Sequence, residues 1–261
     1  MARTAHRPGL ARRIVGRAVL GLGVAALLHG AALAQLLAMQ DSRDVPRLIS
    51  FGGACANCEL SGRRLIGARF MGANFTGAML VGADLRGASF VGSVFAGADL
   101  SRADLRGASM AGANFAQANF SGAAMEALLA PSASFTKADF AGANLDRAEL
   151  AGADLGAADA SSASLRGARL TGANLAGGRF VDAHFEGANL NGANLSGAVF
   201  GGADFKRATL LGASLSGADL SGARELTQGQ LAGACSSAAT RLPPRLVGRP
   251  CRSRASARAG R

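Results

Sequence analysis

Tryptophan and tyrosine are absent from this sequence of 261 residues, histidine occurs three times and cysteine four times. A composition this skewed, with 37 glycines beside the missing aromatics, signals internal repetition. His184 is the only histidine outside the first 34 residues. In the stretch DAHFE it points outward beside Asp182 and Glu186 with no oriented nucleophile, so it reads as a solvated surface residue. No phosphate-binding loop, nucleophile elbow or metal-ligand cluster is present, and the glycine-rich calcium repeats with a nine-residue period are missing. The sequence therefore predicts a protein that is not an enzyme and that has no cofactor or metal site.

Acidic residues are missing from both ends of the chain. Residues 1–34 carry five Arg and no acid, and residues 241–261 carry seven Arg and no acid. Between them, 16 Lys and Arg stand against 17 Asp and Glu, so the formal charge of +11 belongs to the ends and the body is close to neutral. A near-neutral body does not favour nucleic acid as a partner. At the start, Arg3, Arg7, Arg12, Arg13 and Arg17 precede an uncharged apolar run from Ala18 to Ala34 that closes on Ala32-Leu33-Ala34. This is the pattern of an export signal cleaved after Ala34, leading to the periplasm or the exterior. The lack of a cysteine near that point argues against a lipoprotein. The alternative is an uncleaved membrane anchor running on through Leu36, Leu37 and Met39, against which His29, Gln35 and the interrupting glycines count.

What the sequence does contain is a period of five. Stepping by five from Leu60 to Leu220 gives 33 positions, occupied by 17 Leu, 12 Phe, two Met and two Ala. Two places before each stands Ala in 28 of the 33, and the residue between is mostly Asp, Asn, Ser, Arg or Glu. Neither a helix nor a flat strand asks for this period. In an extended segment the Ala and the large residue point to one side and the residue between them to the other. The two remaining residues then turn the chain, and the glycine frequent there permits the backbone angles. A period of five is one short extended side plus one corner, repeated as a coil.

The phenylalanines state how many sides close one turn. Pairs separated by 10 residues never occur, whereas seven pairs are separated by 20: Phe70/Phe90, Phe75/Phe95, Phe95/Phe115, Phe115/Phe135, Phe120/Phe140, Phe180/Phe200 and Phe185/Phe205. With four sides per turn, residues 20 apart stack and residues 10 apart confront each other across the axis. Two phenyl rings meeting across a narrow core would overpack it, and a Phe facing a Leu fills it.

The pattern A-[DN]-[LF]-x-x, as in ADLRG from Ala83 to Gly87 and ANLSG from Ala193 to Gly197, resembles the pentapeptide-repeat family of bacteria. The resemblance implies an all-β fold, a right-handed quadrilateral β-helix of about eight coils and about 40 Å in length. It also raises the gyrase-protecting role of some members, which mimic DNA with an acidic rod and dimerise. This sequence departs from that role in its near-neutral body, its export signal and its lack of a long C-terminal dimerisation helix.

Irregular repeats are where a solenoid can carry function. In MEALLAPSASF, Leu128 replaces the inward Ala, Ala130 replaces the central Leu or Phe, and Pro131 follows, which predicts a distorted corner. Ala130 lies across from Phe120 and Phe140, whose bulk is expected to fill its space. Ala160, opposed by Leu150 and Leu170, predicts a cavity or an inward shift. Outer-face residues show no dominant patch.

The expected organisation is a signal peptide over 1–34, an N-terminal cap over 35–57 with Leu48, Ile49 and Phe51 as plugs, and the coil over 58–225. A cap helix over 226–240 follows, announced by Thr227 and Gln230 spaced as a capping box, then an Arg-rich disordered tail over 241–261. Cys55 and Cys58 precede the first turn, and Cys235 and Cys251 follow the last. In an exported chain they predict structural disulfides clamping the ends, with the connectivity open. One zinc site for all four is excluded by the length of the column, and a redox-active pair wants its first cysteine at a helix N-terminus. The expected partner is a protein or envelope component, with membrane contact through the N-terminal segment or the tail; oligomeric state stays open.

Overall fold

The computed structural model describes residues 53–251, which belong to a compact unit spanning residues 42–261. The expected signal, the membrane-anchor alternative, the plugs Leu48, Ile49 and Phe51, and the tail beyond Cys251 lie outside the described residues.

The period of five winds into a four-sided column. The outward residue of each pentad pairs in parallel with the residue 20 positions on, from Ala54 with Asn74 to Val199 with Asp219 and Asp204 with Arg224. Each side contributes one such pair per coil, so the sides are single bridges rather than strands. We call side A the one carrying Met79, Asp99 and Asn119, side B that of Asp84 and Asp104, side C that of Ser89 and Ser109, and side D that of Asn74, Val94 and Asn114.

Hydrogen bonding shows why the pentad has its composition. In one repeat, Asp84 N donates to Arg63 O at 2.9 Å, Leu85 N to Asp104 O at 2.7 Å, and Gly87 N to Arg106 O at 3.0 Å. Ala88 N closes the corner on Leu85 O at 3.0 Å. The first corner residue is left with an unpaired N–H, and the outward Asp or Asn two places earlier accepts it: Ser101 N donates to Asp99 Oδ1 at 2.9 Å, and Ser121 N to Asn119 Oδ1 at 2.9 Å. The recurrent acid or amide thus satisfies a backbone donor that the ladder cannot reach.

The second corner residue takes φ between 54° and 71° at all 33 corners from Asn57 to Gly217, and 22 of these are glycine. Positive φ at the third residue is the requirement of a type II turn. The remaining 11, among them Ala127, Ala157 and Arg102, hold the left-handed conformation against their side chains.

Inside, the Ala and the Leu or Phe of every pentad from Ala68 to Leu220 are buried, with Gly178 and Ser93 standing in two of the Ala positions. The rings stack along the axis, Phe75 on Phe95 at 4.6 Å and Phe120 on Phe140 at 5.0 Å, with interplanar angles of 10° and 4°. Neighbouring stacks meet edge to face, Phe90 against Phe95 at 87° and Phe70 against Phe75 at 83°. The paired stacks migrate around the column, from sides C and D at Phe70 and Phe75 to sides A and B at Phe180 and Phe185.

Three expectations need correction. The helix spans only Gln228–Ala232 (α1), because at Cys235 the chain rejoins the ladder beside Ser214. Arg241 then pairs with Asp219, and Pro250 with Ser236, so residues 241–251 are the end of the column rather than a disordered tail. At Pro131 the corner persists: Ser132 keeps φ at 55°, and the closing bond from Ala133 N to Ala130 O lengthens to 3.4 Å. Leu128 and Ala130 are both fully buried on one side of one coil, so Leu128 supplies in the same pentad the volume that Ala130 lacks. Ala160 is likewise buried, stacked between the coils of Phe140 and Phe180. On the coil above it, the ring of Phe180 lies over Gly178, where an added Cβ would stand 2.6 Å from a ring carbon.

Candidate interaction faces

An outward side chain repeats its direction only every 20 residues, so the surface must be sorted by side before any patch shows. Sorted this way, the outward residues of sides C and D from Met71 to Thr136 carry no charge: Ser89, Val91, Ser109, Ala111, Leu129 and Pro131 on one, Asn74, Val94, Asn114 and Ser134 among those on the other. Met71 and Leu129 are 54% and 46% exposed there. Every charge in that stretch, Asp84, Arg86, Asp99, Arg102, Asp104, Arg106 and Glu126, falls on sides A and B. The expectation of no dominant patch is corrected, and the signal was in the sequence at a spacing of 20.

Side B is a ladder of alternating charge. Arg86 reaches Asp84 at 2.7 Å and Asp104 at 3.6 Å, Arg106 reaches Asp104 at 2.6 Å, and Arg166 reaches Glu186 at 3.0 Å. The guanidinium hydrogen bonds hold the Asp84 and Asp104 carboxyls below the ordinary carboxylate range, Arg86 acting on the first and Arg106 on the second. His184 sits on the same side between Ser164 and Asp204. Side D has one carboxylate among its bridging residues, Asp154. Partial burial pushes its pKa up, and this is outweighed by the Gly156 N–H at 2.9 Å, the Asn174 amide at 2.8 Å and the Thr136 hydroxyl at 3.0 Å, leaving it lowered. Asn174 in turn accepts from Asn194 at 3.1 Å, extending a polar ladder.

Among the described residues, no three of His, Cys, Asp and Glu come together as a metal site, and no helix is long and apolar enough to cross a membrane. The structure pairs Cys55 with Cys58 and Cys235 with Cys251, leaving the two pairs at opposite ends of the ladder. All twelve phenylalanines of the expected core, Phe70, Phe75, Phe90, Phe95, Phe115, Phe120, Phe135, Phe140, Phe180, Phe185, Phe200 and Phe205, are buried, so none offers a ring to a ligand.

The repeat itself decides the family: the sequence matches the family described as pentapeptide repeats (8 copies) over five stretches, residues 55–92, 88–126, 133–172, 148–187 and 188–224. The chain belongs to the pentapeptide-repeat family. Proteins of this family fold as right-handed quadrilateral β-helices and serve in general as structural or interaction modules. The chain is similar to HetL, a pentapeptide repeat protein involved in heterocyst differentiation regulation in the cyanobacterium Nostoc, at 30% identity over 83% of this chain and 100% of that one, with a TM-score of 0.48. It is also similar to QnrB1, a plasmid-mediated fluoroquinolone resistance protein, at 20% identity over 74% of this chain and 93% of that one, with a TM-score of 0.49. A third likeness, to a pentapeptide repeat protein of the Arabidopsis thaliana thylakoid lumen, has 29% identity over 57% and 74% of the two chains and a TM-score of 0.25. No curated protein matches the sequence significantly.

Proposed function

We propose that this chain is a non-enzymatic, exported interaction module of bacteria: a rigid rod of about eight coils, closed at its C-terminal end by α1 and residues 235–251, that binds a protein in the periplasm or cell envelope. The observation that carries the reading is the division of the surface. Interface centres are depleted of charge, and sides C and D between Met71 and Thr136 are two adjoining uncharged faces, with Met71 and Leu129 as exposed apolar side chains on side C. Its partner is a protein with an equally uncharged surface, because a charged one would lose hydration there without compensation. Export is supported by the leader pattern of residues 1–34 and by the cysteines, all four of which are paired. The DNA-mimicking alternative needs a face lined with free carboxylates. Side A comes nearest with Asp99, Asp139, Asp159 and Asp219, yet Arg179 stands 3.8 Å from Asp159 and Arg241 3.6 Å from Asp219.

The test is to express the full chain in a bacterium, fractionate the cells and take the intact mass without reductant. A periplasmic species beginning at Gln35 and lighter by four hydrogens supports export with two disulfides. A cytosolic species with Met1 or Ala2 retained and free thiols overturns it and reopens the intracellular alternative; the same species in the membrane fraction means an anchor.

A further inference from the structure

The two disulfides hold different things. Cys55 and Cys58 are three residues apart and flank one corner, which a backbone bond from Cys58 N to Cys55 O at 3.2 Å already closes. Cys235 and Cys251 are 16 residues apart, and the chain between them covers the end of the column. Its first part is tied into the ladder, with Leu220 N donating to Arg241 O at 2.8 Å and Arg241 N to Ala218 O at 2.9 Å. Beyond Arg241 the backbone attachments to the column are few. Gln228 clasps Val247, its amide donating to Val247 O at 2.9 Å and its carbonyl accepting from Val247 N at 2.9 Å. Ser236 N donates to Arg249 O at 2.7 Å, and Cys251 N to Ser236 O at 3.0 Å. Leu242 and Leu246, partly buried, pack against the core beneath.

The last rung ends in proline. In a parallel bridge the hydrogen bonds of Arg249 and Cys251 go to Ser236, and the amide position of Pro250 faces away from the column. Proline has no N–H to offer there, so the outermost rung cannot donate to an added strand at its centre. Directly beneath, Ser236 has both an N–H and a C=O, and without residues 249–251 it is an open edge. The two most exposed large apolar side chains among the described residues, Val247 at 70% and Leu211 at 68%, also flank this end.

We propose that the Cys235–Cys251 disulfide is a thiol-operated latch on the end of the rod, and that releasing it opens this end to a second copy of the chain. A thiolate of an external dithiol attacks one sulfur of the partly exposed pair and displaces the other as a thiolate, which takes up a proton. The second thiol of the reagent then resolves the mixed disulfide. The net products are two cysteine thiols and one cyclic disulfide of the reagent, so electrons and protons balance. Residues 242–251 lose their covalent tie, and the Ser236 edge is bared. The second copy is the fitting occupant because a backbone edge is read without regard to side chains, and every opened chain carries the same edge for head-to-head pairing.

The test uses the full oxidised chain and the chain treated with dithiothreitol. Hydrogen exchange at the Ser236 and Cys251 amides is expected to accelerate roughly a hundredfold on reduction, as loss of a tie over a loop of this length implies, with Leu195 unchanged. Sedimentation is expected to show a concentration-dependent species heavier than the oxidised chain. The Cys55→Ser/Cys58→Ser variant should keep the full response, and Cys235→Ser/Cys251→Ser should be open and self-associated without reductant. Pro250→Ala, which restores an outward donor, should associate while still oxidised. Unchanged protection at Ser236 and Cys251 after reduction overturns the latch, and accelerated exchange without a heavier species overturns the second copy.

Discussion

Two stretches of one column follow the same repeat with unequal strictness. From Gly62 to Gly122, 11 of 13 corners are glycine, whereas from Ala127 to Asp182 only five of 12 are. The inward positions loosen in the same place: Leu128, Ala130, Ala160 and Gly178 all fall in the second stretch. The ladder between coils registers none of this. Leu105 N meets Ala124 O at 2.7 Å in the first stretch, and Leu155 N meets Asn174 O at 2.7 Å in the second. The ladder holds the column while individual inward positions drift, and at Leu128 and Ala130 the volume is kept within one pentad with its order reversed.

The Leu128 and Ala130 pair tests this claim most severely. Removing the only bulky inward side chain of that pentad by Leu128→Ala is expected to cost about 2 to 4 kcal/mol in urea unfolding, as lost burial plus cavity. Adding Ala130→Leu restores the regular order of small then large, and is expected to recover most of the loss. A double variant no more stable than Leu128→Ala would mean that the shape of this coil, not its volume, is specified. Next in size is Gly178→Ala. The new methyl must displace the Phe180 ring, and about 1 to 3 kcal/mol of overpacking is expected, measured in the same way. The matching change in the first stretch is Ser93→Ala. It removes the oxygen that accepts from Ala73 N at 3.1 Å and donates to Phe70 O, so it separates the loss of a buried hydrogen bond from crowding.

A smaller effect of opposite sign is expected at the corners. Ala127 and Ala157 hold φ at 54°, which glycine adopts freely. Ala127→Gly and Ala157→Gly are each expected to raise stability, by up to about 1 kcal/mol, because relief of the left-handed strain outweighs the added freedom of the unfolded chain. If thermal unfolding shows either one destabilised, the second stretch is not under left-handed backbone strain.

Most of the architecture was legible because it rests on inward positions. The central residues from Leu60 to Leu220 show the side, and the spacing of Phe75, Phe95 and Phe115 shows the four-sided turn. The role of Asp99 and Asn119 was not legible, since an outward residue looks solvated until the unpaired N–H of the corner beside it is located. The uncharged faces were present as a spacing of 20 and needed only the sorting that the coil dictates. The end of the rod was beyond reach for a different reason. Once the phase slips after Leu220, the clasp of Gln228 on Val247 and the rung of Pro250 on Ser236 depend on where a non-repeating chain returns.

The smallest effects separate the two stretches by the origin of their lowered carboxylates. Asp84 and Asp104 are held down chiefly by arginine hydrogen bonds, and Asp154 by a backbone amide, an asparagine and a threonine. All three are lowered in the fold, so the stability each contributes is present above its unfolded value and is lost as pH falls through its folded value. Because these groups are only partly buried and solvent screens their partners, each contribution is expected to be under about 1 kcal/mol. Salt tells them apart. Raising ionic strength should move the NMR titration midpoints of Asp84 and Asp104 back toward the ordinary range by weakening their charged partners, and should leave Asp154 nearly where it was, since its donors are neutral. Equal shifts at all three would mean that the whole field of the rod, rather than the local donors, sets these values, and the contrast between the charged ladder of side B and the polar ladder of side D would lose its electrostatic content.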